Sequence, residues 1–138
     1  MNLNGDLLRT RCQEIAESLG RLERIKEESR EKFLEDRDLQ DVACYRLLVA
    51  IEAALALCYH VTAKRLKKVP EEYAECFAIL AQAKIISPVL SEKLQKMARF
   101  RNLLVHMYGK VDYGMLYDIV QHNLNDLQEF SKAISVLL

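Results

Sequence analysis

Between Leu47 and Leu57 the chain carries one ionisable side chain, Glu52, and its apolar residues fall on nearly every side of a helix. A helix that is apolar all round sits at the centre of a fold, covered by neighbouring helices or by a second subunit. The apolar run ends near Val61 and Glu52 interrupts it, so it is too short to cross a bilayer and no membrane association is expected. Chain-breakers are scarce, with four Gly and two Pro in 138 residues, which favours long helices over a sandwich of short strands. This length suits a single domain, residues 1–138, built on one core.

Apolar periodicity divides the chain into about five helices. From about Leu3 to Lys26, the residues Leu8, Cys12, Ile15, Leu19, Leu22 and Ile25 recur in alternating steps of four and three, forming one stripe opposite the charged Arg21, Glu23, Arg24, Glu27 and Glu28. Gly20 weakens this helix without ending it. Ser29 to Asp38 is polar apart from Phe33 and Leu34 and is predicted to be a connector. Asp38 or Asp41 is expected to cap a second helix running to about Leu66, whose basic tail (Lys64, Arg65, Lys67, Lys68) suits a helix C-terminus. Pro70-Glu71-Glu72 opens a short third helix with Tyr73, Phe77 and Leu80 on one stripe. Ser87-Pro88 opens a fourth, whose stripe reads Leu90, Leu94, Met97, Arg101, Leu104 and Tyr108, with Gly109 as its stop. Asp112 caps a fifth that keeps Leu116, Val120, Leu124, Leu127, Ile134 and Leu138 on one face to the end. Short connectors imply antiparallel neighbours, so the expected fold class is an all-α antiparallel helical bundle of about five helices.

Twenty basic residues balance twenty acidic ones, which gives no general drive toward nucleic acid or anionic membrane; any such contact requires a local patch. Cys12, Cys44, Cys58 and Cys76 form no C-x-x-C pair and show no zinc-type spacing with His. Each lies in an apolar helical stretch, where small buried thiols are common. The expectation is a reducing compartment, the cytoplasm, with no disulfide and no metal site. Met1 to Leu8 lacks a basic segment followed by an apolar run, so no secretory signal is expected.

One stretch breaks the pattern: Arg99-Phe100-Arg101-Asn102-Leu103-Leu104-Val105-His106-Met107-Tyr108. Arg101 falls on an apolar stripe, and an unpaired buried guanidinium is costly. Structural explanations come first, either a pair with a carboxylate such as Glu52, the only acid in its own run, or a stem that snorkels to solvent. Five residues along a helix correspond to roughly 140° of rotation, so Arg101 and His106 do not share a face of one straight helix. They converge if the helix loosens before His106, or if two subunits meet about a two-fold axis and gather two Arg and two His in one cleft.

Arg101-Asn102-Leu103-Leu104-Val105-His106-Met107-Tyr108 is similar to the R-x4-H-x-Y motif of HepT-like toxins of the HEPN superfamily. Asn102 directly after the Arg also fits HEPN ribonucleases. Ala50-Ile51-Glu52-Ala53-Ala54-Leu55, Pro70-Glu71-Glu72-Tyr73-Ala74-Glu75 and the run from Met97 to His106 resemble the same family, so the likeness covers most of the chain. Gly109 departs from the bulky residue common in that family and removes no motif residue.

The resemblance implies a homodimeric HEPN-like bundle that acts as the toxin of a toxin–antitoxin pair. It implies an endoribonuclease that needs no metal and no cofactor, with a composite site at the dimer interface. Arg101 and His106 would be catalytic, with Asn102 and Glu52 supporting them. The implied partners are an RNA substrate and a nucleotidyltransferase (MntA-like) antitoxin that attaches AMP to Tyr108, placing negative charge where substrate phosphate must bind.

The chemistry of the residues agrees. An imidazole takes a proton near neutral pH, which suits His106 as base for a 2′-hydroxyl. A guanidinium offers a planar fork of donors to phosphate oxygens, which suits Arg101. Lys93, Lys96, Arg99 and Lys110 lie near enough in sequence to hold an RNA backbone, or are simply solvated. His60 reads as a satisfied core or interface histidine, His122 as surface, and Tyr45, Tyr59 and Tyr73 as members of core stripes. Two other functions compete: a non-catalytic helical binding partner and modification substrate of a nucleotidyltransferase, and a helical scaffold dimer.

Overall fold

The computed structural model describes residues 3–106 and 110–138, and among them every regular element is an α-helix. Seven occur: α1 (Gly5–Lys26), α2 (Arg30–Glu35), α3 (Arg37–Lys64), α4 (Tyr73–Gln82), α5 (Pro88–His106), α6 (Tyr113–His122) and α7 (Leu124–Ser135). The all-α class stands, and the expected count of about five is corrected in two places.

The first correction is the segment read as a connector, which contains α2. Ser29 caps it by accepting from the Lys32 N–H at 3.1 Å, and Phe33 is fully buried. Phe33 packs against Tyr117 of α6 at 5.4 Å, and its carbonyl accepts from the Gln40 side chain. One apolar anchor thus ties this charged segment to the bundle.

The second correction is the last helix, which breaks at Asn123. Its amide Nδ2 donates to Asp126 at 2.9 Å, and an Asn side chain that bonds locally competes with a continuing helix. The break leaves Leu116, Val120, Leu124, Leu127 and Ile134 all buried on either side.

Asp36, rather than Asp38 or Asp41, caps α3, accepting from the N–H groups of Asp38 and Leu39. α3 touches all the other helices. Its buried positions include Leu47, Ala50, Ile51, Ala54, Leu57, Cys58 and Val61, as expected of a central helix. α3 is longer than the apolar run alone, and by length and composition it reaches what a membrane span requires, with a mean hydropathy of 1.8 over its best window. Half of that window is buried against the other helices. α1 runs antiparallel to α3. The Asn4 N–H at its start donates to His60 near the end of α3, whereas Glu17 further along pairs with Arg46 near the start of α3.

The expectation of unpaired thiols holds for Cys12 and Cys44 and fails for the other two. Cys58 of α3 and Cys76 of α4 form a disulfide. Their Cα atoms are 6.1 Å apart, within the span a disulfide bridges. Eighteen residues of sequence separate them, and the helix packing that joins them cannot be read from spacing. Tyr45 is likewise not a core residue: it is 61 % exposed.

Candidate active site

α5 begins as expected, with the Ser87 Oγ accepting from the Leu90 N–H at 3.0 Å. Leu90, Leu94, Met97 and Phe100 are buried, which fixes the rotation of the helix: Arg101 continues their stripe one turn after Met97, while Asn102 and His106 turn away from the core. Opposite them the chain enters α4 through Glu71 and Glu72, held by the Glu75 carboxylate, which accepts from the Glu71 N–H at 2.8 Å. Between these walls lies an open groove of about 750 Å³. It is lined by Arg99, Arg101, Asn102, Val105 and His106 from α5, Glu71, Glu72, Tyr73 and Ala74 at the start of α4, and Tyr59 from α3.

Arg101 is the most constrained member. Its Nε donates to Glu52 Oε1, and its Nη1 donates to Asn102 Oδ1 at 3.2 Å. Its guanidinium lies over the Tyr73 ring, 4.8 Å from the centroid. The Arg101 side chain is only 14 % exposed and Glu52 is 46 % exposed, so the carboxylate keeps contact with water while neutralising the more buried cation. The pairing with Glu52 is thus realised, and Asn102 is brought to the same guanidinium.

His106 is exposed and lies on the groove wall. α5 remains helical through His106, so no loosening is needed for the two residues to share a groove. The groove instead wraps about half the helix circumference: Val105, Asn102, His106 and Arg99 follow Arg101 around the axis within roughly 160°. The tyrosine of the motif, Tyr108, and the stop assigned to Gly109 lie outside the described residues.

The basic residues near the motif separate. Arg99 lines the groove, whereas Lys93 faces the nearly buried Asp126 of α7 at 3.8 Å. Lys110 lines a different, smaller pocket with Phe100, Leu103 and Met115. His60 accepts the Asn4 N–H at 2.9 Å and is satisfied away from the motif; burial first, and then Lys64, hold its pKa below the ordinary imidazole value. His122 is exposed. Among the described residues, no three His, Cys, Asp or Glu side chains gather as metal ligands.

Sequence reasoning missed Tyr73 and Tyr59 as groove residues, taking both for core. Tyr73 is 37 % exposed and meets Tyr59 edge-on, with centroids 5.9 Å apart. Burial, with the neighbouring Tyr73 and Glu75, raises the Tyr59 pKa. A signal was present: Tyr59 follows Glu52 by two helical turns on α3 and so belongs to the stripe of the Arg101 partner.

The family profile described as "Ribonuclease HepT-like" matches residues 15–134. The mRNA nuclease HepT of Shewanella oneidensis is 31% identical over 103 residues, covering 75% of this chain and 77% of that protein. The tRNA nuclease HepT of Aphanizomenon flos-aquae is 22% identical over 137 residues, covering 99% of this chain and 93% of the relative. Among solved structures, the tri-AMPylated Shewanella oneidensis HEPN toxin in complex with MNT antitoxin superposes with a TM-score of 0.87 at 27% identity, covering 99% of both chains.

Proposed function

The chain belongs to the Ribonuclease HepT-like family, and from that membership we propose that it is the toxin of a toxin–antitoxin pair: an endoribonuclease neutralised by a nucleotidyltransferase antitoxin that attaches AMP to it. The observation that carries the reading is the groove in which a guanidinium, fixed on one edge by Glu52, shares a wall with an exposed imidazole. The similar Shewanella toxin is AMP-modified and bound to its antitoxin, which supports both the partner and the modification.

In the proposed reaction His106 takes the proton of a 2′-hydroxyl, and the freed oxygen attacks the adjacent phosphorus. The bond to the 5′-oxygen breaks, leaving a 2′,3′-cyclic phosphate and a 5′-hydroxyl. Arg101 donates to the non-bridging oxygens as charge builds there; its Nε edge is already held by Glu52, so little reorganisation is needed. Asn102 holds Nη1. The chemistry calls on no metal and no cofactor. A second imidazole, from the other subunit of a homodimer, protonates the leaving oxygen. Exposed apolar side chains on the helices that carry the site, Val42 and Tyr45 on α3 and Leu103 on α5, offer surface for such a dimer. AMP on Tyr108, two residues beyond His106, adds negative charge and bulk beside the groove and so blocks RNA. The RNA substrate points to the cytoplasm; with Cys58 and Cys76 paired, the cysteines no longer do.

The test is cleavage of total RNA by purified, unmodified protein in a chelator, with the new 3′ ends analysed. Cyclic phosphate ends are the expected result. Intact RNA, together with AMP transfer to Tyr108 by the antitoxin, would instead favour a non-catalytic partner and modification substrate.

A further inference from the structure

We infer that Tyr73 is a positioning residue for Arg101, holding the guanidinium by its flat face while Glu52 and Asn102 hold Nε and Nη1; this rests on the ribonuclease reading above. A guanidinium held only at Nε and Nη1 still tilts about the line that joins them. The ring of Tyr73, 4.8 Å from the Arg101 Cζ, closes that freedom, and an aromatic face attracts a cation over it. Nε and Nη1 are engaged, and among the described residues no acceptor takes Nη2. Nη2 is therefore the nitrogen presented to a phosphate.

The ring is itself braced. Tyr73 is the first residue of α4, and the chain entering it is clamped by the Glu75 carboxylate on the Glu71 N–H. One turn further on, the Cys58–Cys76 disulfide ties α4 to α3. Tyr59 meets the Tyr73 ring edge-on, with an interplanar angle of 88°. Glu52 and Tyr59, two turns apart on α3, thereby fix Arg101 by two routes: one direct, one through Tyr73. A single stripe of the central helix sets both the edge and the face of the guanidinium.

The experiment uses Tyr73→Phe, Tyr73→Trp and Tyr73→Leu in the full chain, with cleavage kinetics and the NMR signal of Arg101 Nε–Hε in the free protein. A ring is retained in the first two variants, so kcat is expected to stay within a fewfold of the parent. Tyr73→Leu is expected to lower kcat about tenfold or more, with a smaller change in KM, because a loosened cation is lost mainly in the transition state. In that variant the Arg101 Hε signal should lose its ring-current shift and its order parameter should fall, while Phe and Trp preserve both.

Parental kcat in Tyr73→Leu overturns the inference, as does a rate loss with the Arg101 signal unchanged, which would make Tyr73 a direct RNA contact or a purely structural residue. Should Tyr73→Leu not fold, loss of the Arg101 shift or of kcat in Tyr73→Phe overturns it equally. If the parent cuts no RNA, the functional reading fails by itself, and the NMR arm still decides whether Tyr73 orders Arg101.

Discussion

The two ends of α5 obey different rules. From Leu90 to Phe100 the helix presents a buried stripe, with Ser91 also buried and donating to the Phe77 carbonyl at 2.9 Å. From Arg101 to His106 the same helix turns charged and amide side chains into a groove open to solvent. The first part spends its side chains on the core and the second on a ligand, yet one rotation of one helix sets both. Stability and chemistry are thus separable along a single element, and substitutions can be chosen to strike one without the other.

The largest effect on stability is expected at the core end. Leu94 is 1 % exposed, and Leu94→Ala should lower the unfolding free energy by about 2–5 kcal/mol, read by denaturant titration. While the variant remains folded its cleavage rate should stay near the parent's. A large rate loss in folded protein would show that the two ends are coupled.

At the other end the pattern reverses. Glu52→Ala releases the Nε edge of Arg101 and should slow cleavage about ten- to a hundredfold, because small misplacements of a transition-state group are expensive. Arg101 is only 14 % exposed and loses its carboxylate, so stability should fall as well, by about 1–3 kcal/mol. A rate loss of this size in protein that is still fully folded would sharpen the contrast.

Ser87→Ala probes the junction, because the cap sets where α5 starts. A loss of about 1 kcal/mol is expected, with cleavage nearly unchanged. The smallest effect lies remote from the groove. The folded-state pKa of His60 is lowered by burial, then by Lys64, so the unfolded chain binds its proton more readily. Its contribution to stability is present above the ordinary imidazole pKa of about 6.5 and is lost as pH falls through the lower folded value. His60→Gln should therefore flatten the slope of melting temperature between pH 5 and pH 8, and an unchanged slope would remove His60 as its source.

Much of the core end was legible in the residues themselves. The stripe from Leu90 to Met97 and the Ser87 cap follow from helical periodicity and from the orphan N–H groups of a helix start. The Arg101–Glu52 pair was legible because each is an isolated charge in apolar surroundings, and two such charges need one another. Features that depend on which helices lie side by side were not legible. Tyr73 looked like a core residue because Phe77 and Leu80, on its stripe, are core residues; only the position of α5 shows that its ring meets Arg101. Cys58 and Cys76 pair across two helices, and α2 is held by the contact of Phe33 with Tyr117, a partner far along the chain. Asn123 falls on the helical stripe of Leu116, Val120 and Leu127, but a single Asn does not by itself end a helix.

The most direct test of the division along α5 is His106→Ala, measured for RNA cleavage and for unfolding on the same unmodified preparation. The exposed position of His106 leads to an unfolding free energy within about 0.5 kcal/mol of the parent. Loss of the general base leads to a fall in cleavage of about 10²–10⁴-fold. A folded His106→Ala protein that cuts RNA at the parental rate would contradict the assignment of the groove as the site of RNA cleavage.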